Sequence, residues 1–343
     1  MKKTLRVILI LTMLVCKAYG QTDELKKYID KGIELYDKGD YAGAIAQYEQ
    51  ALKIDSKSTL ANYEMASTYF AMEKYEKAIE RVDVVIDENK DYVDQAYILK
   101  GSAQDLMGKS KDAVKTYKKG LKNFPQSHLL HYNLAYTYYN MKEYKDAEAE
   151  LQEALKIKPS HASSHLLLGY VMRAQGSRVK SLLSFYNFLL LEPTGKRAKN
   201  AYAALDEQMK KGVTRDSEKS TTIIISDSKG NDEFSAAELM LSLLEASKGL
   251  EKNEGKTEAQ LFADKTKSFF SVLGEMKNKN KGFWWNYYVD FYYAMVNDNK
   301  VEAFSYYVSQ VKGDAEITDW LTKNKEQLDA FSKWYEGYER KNE

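Results

Sequence analysis

Apolar and small residues recur along residues 25–195 with two superposed periods. Over short stretches they fall three or four positions apart, the spacing of one face of an α-helix. Over longer stretches the whole pattern returns after about 34 residues. Five copies follow at 25–58, 59–92, 94–127, 128–161 and 162–195, with Val93 as one extra residue between the second and third. Each copy predicts two helices joined by a tight turn. A small residue stands on the first helix of every copy: Gly32, Ala66, Gly101, Ala135 and Gly169. The second helix answers with Ala44, Ala78, Ala113, Ala147 and Ser181. Two helices can cross closely only where bulk is missing, because a large side chain would push their axes apart. Tyr48, Val82, Tyr117, Leu151 and Phe185 then fill the space one turn later. Gly39, Gly108 and Gly176 mark the turn in three copies, where a helix end favours a left-handed residue. Pro125, Pro159 and Pro193 stop the second helix in three copies.

The pattern continues past 195 for one helix. Ala198, Ala201, Tyr202, Leu205 and Met209 form a stripe within 196–212, suited to cap the last apolar face of an array. From Val213 the helical spacing fails. Residues 213–232 are expected to be a connector, polar over Thr214–Ser220 and extended over Thr221–Ile225. The stretch Asp227–Glu238 has some features of a calcium loop, but Lys229 occupies a ligand position. A capping box, Ser235 with Glu238, explains it better. Helical spacing returns over 236–250, 258–276, 283–296, 301–311 and 318–338, so 233–343 reads as a second helical domain.

The repeat resembles the tetratricopeptide repeat. Its clearest copies are Gly39-Asp40-Tyr41-Ala42-Gly43-Ala44-Ile45 followed by Ala51-Leu52, and Lys142-Glu143-Tyr144-Lys145-Asp146-Ala147 followed by Ala154-Leu155. The resemblance covers half of the chain. It implies an all-α fold: a right-handed superhelix of five helical hairpins, whose first helices line a concave groove for a protein or peptide partner. Groove positions would be Ile29, Ile33 and Tyr36, then Leu60, Tyr63 and Phe70, then Ile98, Ser102 and Asp105. Leu129, Tyr132, Tyr136 and Tyr139 follow from the fourth copy, and Leu166, Tyr170 and Arg173 from the fifth. Some members of the family grip a C-terminal carboxylate with a Lys, Asn and Arg set; the first copy here offers Ile29, Asp30 and Ile33 instead. The second half resembles the C-terminal region of exported tetratricopeptide proteins of the Bacteroidetes, through its Trp284-Trp285-Asn286-Tyr287-Tyr288-Val289 segment. Its aromatics read either as the core of that domain or as a second docking surface at Trp284, Trp285 and Tyr288.

Composition sharpens the partner class. The formal net charge is +1, so no bulk field favours nucleic acid or an acidic substrate. Tyr occurs 27 times against 12 Phe, which suits a surface that is apolar and hydrogen-bonding at once. Lys2, Lys3 and Arg6 precede the apolar run Val7–Val15, and Ala18-Tyr19-Gly20 supplies small residues. This is the pattern of a secretory signal over 1–20, cut after Gly20, which predicts an exported protein of the periplasm or cell envelope. Cys16 opens a lipoprotein alternative, the one route to membrane attachment; Val15 stands before it, where such sites need a small residue. All four His lie at 128–165, so the second half lacks the base of a Ser-His-Asp or Cys-His arrangement. No phosphate-cradling glycine loop occurs. No catalytic residue, metal site or cofactor is expected. The reading is a non-catalytic interaction scaffold. An envelope holdase for unfolded clients is the alternative, and a carboxylate-based enzyme in the second domain a more distant one.

Overall fold

The computed structural model describes residues 22–217, 220–223, 233–249, 253–277 and 280–340. The expected signal segment, Ile224, Ile225 and the body of the calcium-like loop lie outside these. The described residues are almost wholly α-helical, and they divide into two compact units between Glu143 and Tyr144.

The first unit holds α1 (22–37), α2 (Tyr41–Ile54), α3 (Thr59–Ala71), α4 (Tyr75–Glu88), α5 (Val93–Leu106), α6 (Ser110–Asn123) and α7 (His128–Asn140). Close crossing is built as the small residues require. A Cβ placed on Gly101 would stand 2.5 Å from the Tyr117 ring, so the ring occupies the space that a side chain on α5 would need here. Gly32 receives Tyr48 of α2 in the same way. The turns share one geometry. In the first, Gly39 N–H donates to Tyr36 and Asp40 N–H to Leu35, both at 2.9 Å. The residue at this point is left-handed in every turn: Gly39 (φ 79°), Glu73 (59°), Gly108 (75°) and Lys142 (62°). Two copies therefore hold a residue with a Cβ where glycine is at ease.

The loops between hairpins are tied by the fourth residue of the next helix. Asn62 Nδ2 donates to the Ser56 carbonyl at 3.1 Å, and His131 Nε2 lies 3.2 Å from the Pro125 carbonyl. Both reach six residues back and satisfy an oxygen that the chain reversal leaves without a helix partner.

The second unit holds α8 (Tyr144–Ile157), α9 (Ala162–Gln175), α10 (Arg178–Leu191) and α11 (Gly195–Lys210), then the C-terminal elements. Its α10, of sequence RVKSLLSFYNFLLL, is buried over nearly its whole length. A helix whose apolar residues run round most of its circumference must be covered on most sides. Here α9 and α11 cover part of it, and α12 (Ser235–Ala246), α15 (Val301–Ser309) and the aromatic segment cover the rest. The C-terminal helices thus pack directly onto the last hairpin.

The connector differs from expectation. Val213–Ser217 and Ser220–Ile223 form an antiparallel hairpin, β1 and β2, with Val213 opposite Ile223, and it packs on α12. The polar stretch after Val213 becomes a strand because the β-branched segment supplies a partner for its backbone. Ser235 is the first residue of α12 rather than its cap; Phe234 takes the cap position and lies buried against Trp285.

The helix α13 (Glu258–Lys277) leads to Trp284–Val289, which is a π-helix, then to α14 (Asp290–Asn297). The wider turn buries Trp284, Trp285, Tyr287, Tyr288 and Val289 together, more than one α-helical stripe could. Asn299 (φ 54°) joins α14 to α15 with the repeat's own turn: its N–H bonds Val296 and that of Lys300 bonds Met295. The helix expected over 318–338 is two, α16 (Ala315–Lys323) and α17 (Lys325–Gly337). Asn324 ends the first, with both its backbone N–H and its Nδ2 on the Trp320 carbonyl. At the centre, the Tyr186 ring meets Phe270 at 5.2 Å, and Phe270 stacks on Tyr292 at 4.3 Å. Both hydroxyls are satisfied, Tyr186 by Thr266 and Tyr292 by the Leu183 carbonyl.

Candidate partner-binding groove

In the first unit the first helices of successive hairpins adjoin, α3 with α5 and α5 with α7. Their shared face carries the aromatic positions. Tyr136 is 47% exposed and Leu129 39%, while Tyr63, Phe70, Tyr132 and Tyr139 are half-buried. The half-buried rings are held by neighbours. Tyr63 stacks on Tyr92 at 5.4 Å, and Phe70 meets the edge of Tyr75 at 5.4 Å. Ile29, expected in the groove, is instead in the core with Ala44 and Tyr48.

Ser102 and Asp105 face inward obligations. The Ser102 hydroxyl lies 3.0 Å from that of Tyr117, and Asp105 accepts from Ser110 at 2.5 Å and Thr137 at 3.1 Å. Burial pushes the Tyr117 and Tyr63 phenols up. The Glu64 carboxyl is also pushed up, by burial first and then by Asp37. Two exposed residues at the ends of α5 are absent from the expected set. Tyr92 is 37% exposed and left-handed (φ 67°), and Leu106 is 61% exposed. The extra Val93 was the one sign that the repeat is irregular at this point; Tyr92 takes the cap position of α5.

In the second unit, Leu166 and Tyr170 are half-buried, and Tyr170 meets the edge of Phe185 at 5.2 Å. Arg173 pairs with Glu207 of the capping helix at 2.6 Å. The second docking surface expected at Trp284, Trp285 and Tyr288 is corrected: these side chains are interior, at 5%, 1% and 0% exposure. Each polar tip is spent inside the unit. Trp284 Nε1 donates to Glu148 at 2.8 Å, Trp285 Nε1 to Glu233 at 2.5 Å, and the Tyr288 hydroxyl lies 2.7 Å from His165 Nδ1.

The histidines are explained by the same accounting. His165 Nε2 lies 2.9 Å from the Pro159 carbonyl, repeating the loop tie of Asn62 and His131. His161 Nδ1 meets the Ser164 hydroxyl at 2.7 Å. Burial, with Arg340 nearby, holds the His165 imidazole down at about 3. Among the described residues no group of three or more His, Cys, Asp or Glu is placed to hold a metal ion.

A tetratricopeptide-repeat family model matches residues 35–102 and 106–171. The chain is 28% identical over 171 residues to a TPR repeat-containing protein of Methanocaldococcus jannaschii, covering 47% of this chain and 30% of that protein. It is 28% identical over 108 residues to DnaJ homolog subfamily C member 3 of Gallus gallus, covering 32% and 21%. The matched segment is thus less than a third of either relative's length. Among solved structures it is similar to a thermophilic TPR protein of Thermus thermophilus (TM-score 0.44, 21% identity, 53% of this chain and 98% of that one). It is similar to MamA of Desulfovibrio magneticus (0.43, 17%, 50% and 96%) and to PilW, a type IV pilus biogenesis factor (0.46, 18%, 54% and 90%). The matched residues, with their paired helices and small crossing positions, are tetratricopeptide repeats.

Proposed function

We propose that this protein is a non-catalytic scaffold of the cell envelope that holds a peptide or protein segment on the first-helix face of its repeats. The carrying observation is that large apolar side chains stay exposed on two adjoining first helices, Leu129 and Tyr136 on α7 and Tyr92 and Leu106 at the two ends of α5, while Tyr63, Phe70, Tyr132 and Tyr139 are half-buried. Large apolar side chains left exposed on adjoining helices suit an interaction surface. Tyrosine adds hydroxyls that can take up the backbone of an extended segment. Binding without chemistry is supported by the placement of His131, His161 and His165 in structural hydrogen bonds. Export is supported by the signal pattern over 1–20. Among the described residues no helix is long and apolar enough to cross a membrane.

A photo-crosslinking residue at Tyr136, compared with one at Lys119 on α6, tests the reading in cells that produce the protein. A discrete adduct is expected at Tyr136 alone, lost when Tyr132, Tyr136 and Tyr139 are replaced together. Equal adducts at both positions, or an adduct indifferent to the triple replacement, would defeat it. Capture of many unrelated proteins would favour a holdase instead.

A further inference from the structure

We infer that α16 and α17 form a strap that closes in cis over an aromatic groove on α14 and α15, and that its opening admits an amphipathic helix of a partner protein in the same place. The strap belongs to the second unit and does not rest on the tyrosine face of the first. Its hold on the unit is light. Ile317 is the buried side chain of α16, and Phe331 that of α17. By contrast α13 buries Leu261, Phe262, Phe269, Phe270 and Leu273, and α15 buries Phe304, Tyr306 and Val308 among others. Elements with few buried apolar side chains open at a lower free energy than the core they cover. Among the described residues no ion pair joins α16 or α17 to the rest of the unit; Lys323 pairs within α16, with Asp319 at 2.8 Å.

The seam under the strap is aromatic. Phe291 of α14, 1% exposed, meets Trp334 at 5.6 Å, Tyr335 at 6.1 Å and Tyr338 at 5.1 Å. Phe304 of α15 meets Phe331 at 6.1 Å, and Trp320 of α16 lies parallel to Tyr306 at 4.1 Å. Phe331, Trp334, Tyr335 and Tyr338 thus anchor at i, i+3, i+4 and i+7, the pattern of an amphipathic helix laid in a groove. Both ends of the strap suit movement. Gly313, left-handed at φ 70°, forms the joint after α15, and a few such residues can absorb a hinge motion. Half-buried Arg340 is the latch at the other end. It stacks on Phe291 at 4.0 Å and Tyr287 at 4.6 Å, and donates to the Tyr287 carbonyl at 3.0 Å and to Asn187 Oδ1. Exposed hydrogen bonds from Trp334 to Asp298 and from Thr257 to Glu316 complete the hold. A partner helix with aromatic residues at this spacing would find the contacts that the strap vacates.

The test is hydrogen exchange, read by mass spectrometry, on the full chain and on its Arg340→Met variant. In the unaltered chain the amides of α16 and α17 are expected to exchange together, about tenfold or more faster than those of α13 and α15. Arg340→Met should quicken both strap helices by about a further tenfold and leave α13 unchanged. A labelled synthetic peptide of residues 325–340 should bind Arg340→Met about tenfold more tightly than the unaltered chain, because the strap competes for the same groove. Strap amides that exchange at the rate of α13, or a quickening confined to the last turn of α17, would overturn the strap. Exchange on the unaltered chain decides this if the variant fails to fold. Equal binding of the peptide to both chains, or none to the variant, would overturn the groove.

Discussion

His165 Nδ1 lies 2.7 Å from the hydroxyl of Tyr288, a residue 123 positions further along the chain. The contact is buried on both sides and joins the first helix of the fifth hairpin to the π-helical aromatic segment. The ring's other nitrogen is 2.8 Å from Asn187 Nδ2, whose amide oxygen accepts from Arg340 near the C-terminus. Arg340 also stacks on Phe291 at 4.0 Å and donates to the Tyr287 carbonyl at 3.0 Å. One histidine therefore ties together a repeat loop, the repeat's second helix and the C-terminal domain.

This arrangement makes stability depend on pH with a definite sign. Burial first, then the charges of Arg340 and His161, depress His165 from 6.5 to about 3 in the folded protein. Below 6.5 the unfolded chain takes up a proton that the folded chain refuses. Stability from this group is complete above pH 6.5 and is lost as pH falls toward 3. The loss should reach about 2 kcal/mol near pH ~5, at about 1.4 kcal/mol per pH unit. Urea denaturation of the wild type and His165→Gln across this range is the check. The variant should be less stable at neutral pH and show a shallower acid dependence.

Gly169 faces Phe185 as Gly101 faces Tyr117, with a Cβ position 2.5 Å from the ring in each case. Gly169→Ala should cost about 1–3 kcal/mol by overpacking. Adding Phe185→Leu should recover part of that loss, so the two changes are coupled by about 1 kcal/mol in a double-mutant cycle. Additive effects would show that the ring can move away freely.

Glu73 and Lys142 hold the left-handed turn position that glycine fills in the other hairpins. Glu73→Gly and Lys142→Gly should each stabilise the fold by about 0.5–1 kcal/mol, relief of Cβ strain exceeding the entropy that glycine loses. The reverse change, Gly108→Ala, should destabilise by about 1 kcal/mol. Thermal midpoints under matched conditions read both signs.

Arg178 is 5% exposed and donates to the carbonyls of Gln208 (2.7 Å), Met209 (3.1 Å) and Glu238 (3.2 Å), and to Ser242 Oγ (2.8 Å). It therefore closes the end of α11 and fastens α12 to it. Arg178→Met takes the guanidinium donor from the Gln208 and Met209 carbonyls at the end of α11 and should cost about 2–4 kcal/mol. Lysine cannot reach all four acceptors from one point charge, so Arg178→Lys should restore less than half. Hydrogen exchange should quicken first in α12.

The repeat array was legible because its determinants are local. Gly101 opposite Tyr117 needs only a period and a size rule, and both are written in the residue order. The loop ties show where that legibility stops. Asn62, His131 and His165 stand at one repeat position, yet their common target, a carbonyl six residues back, depends on the path of the loop. The aromatic segment was ambiguous for a different reason. Trp284, Trp285 and Tyr288 have the same composition whether they face solvent or core, and burial is decided by what lies opposite them. One signal was present in α10: its second half, LLSFYNFLLL, is apolar on most sides, which a helix at the end of an array cannot sustain without further cover.

By itself the sequence determined the hairpins, their crossings and their turns, because helix periodicity and side-chain bulk act over a few residues. Only the tertiary structure decided that the C-terminal helices close over α10 and that the connector pairs as two strands. Those outcomes rest on desolvation and on which distant groups meet, and neither is a property of neighbouring residues.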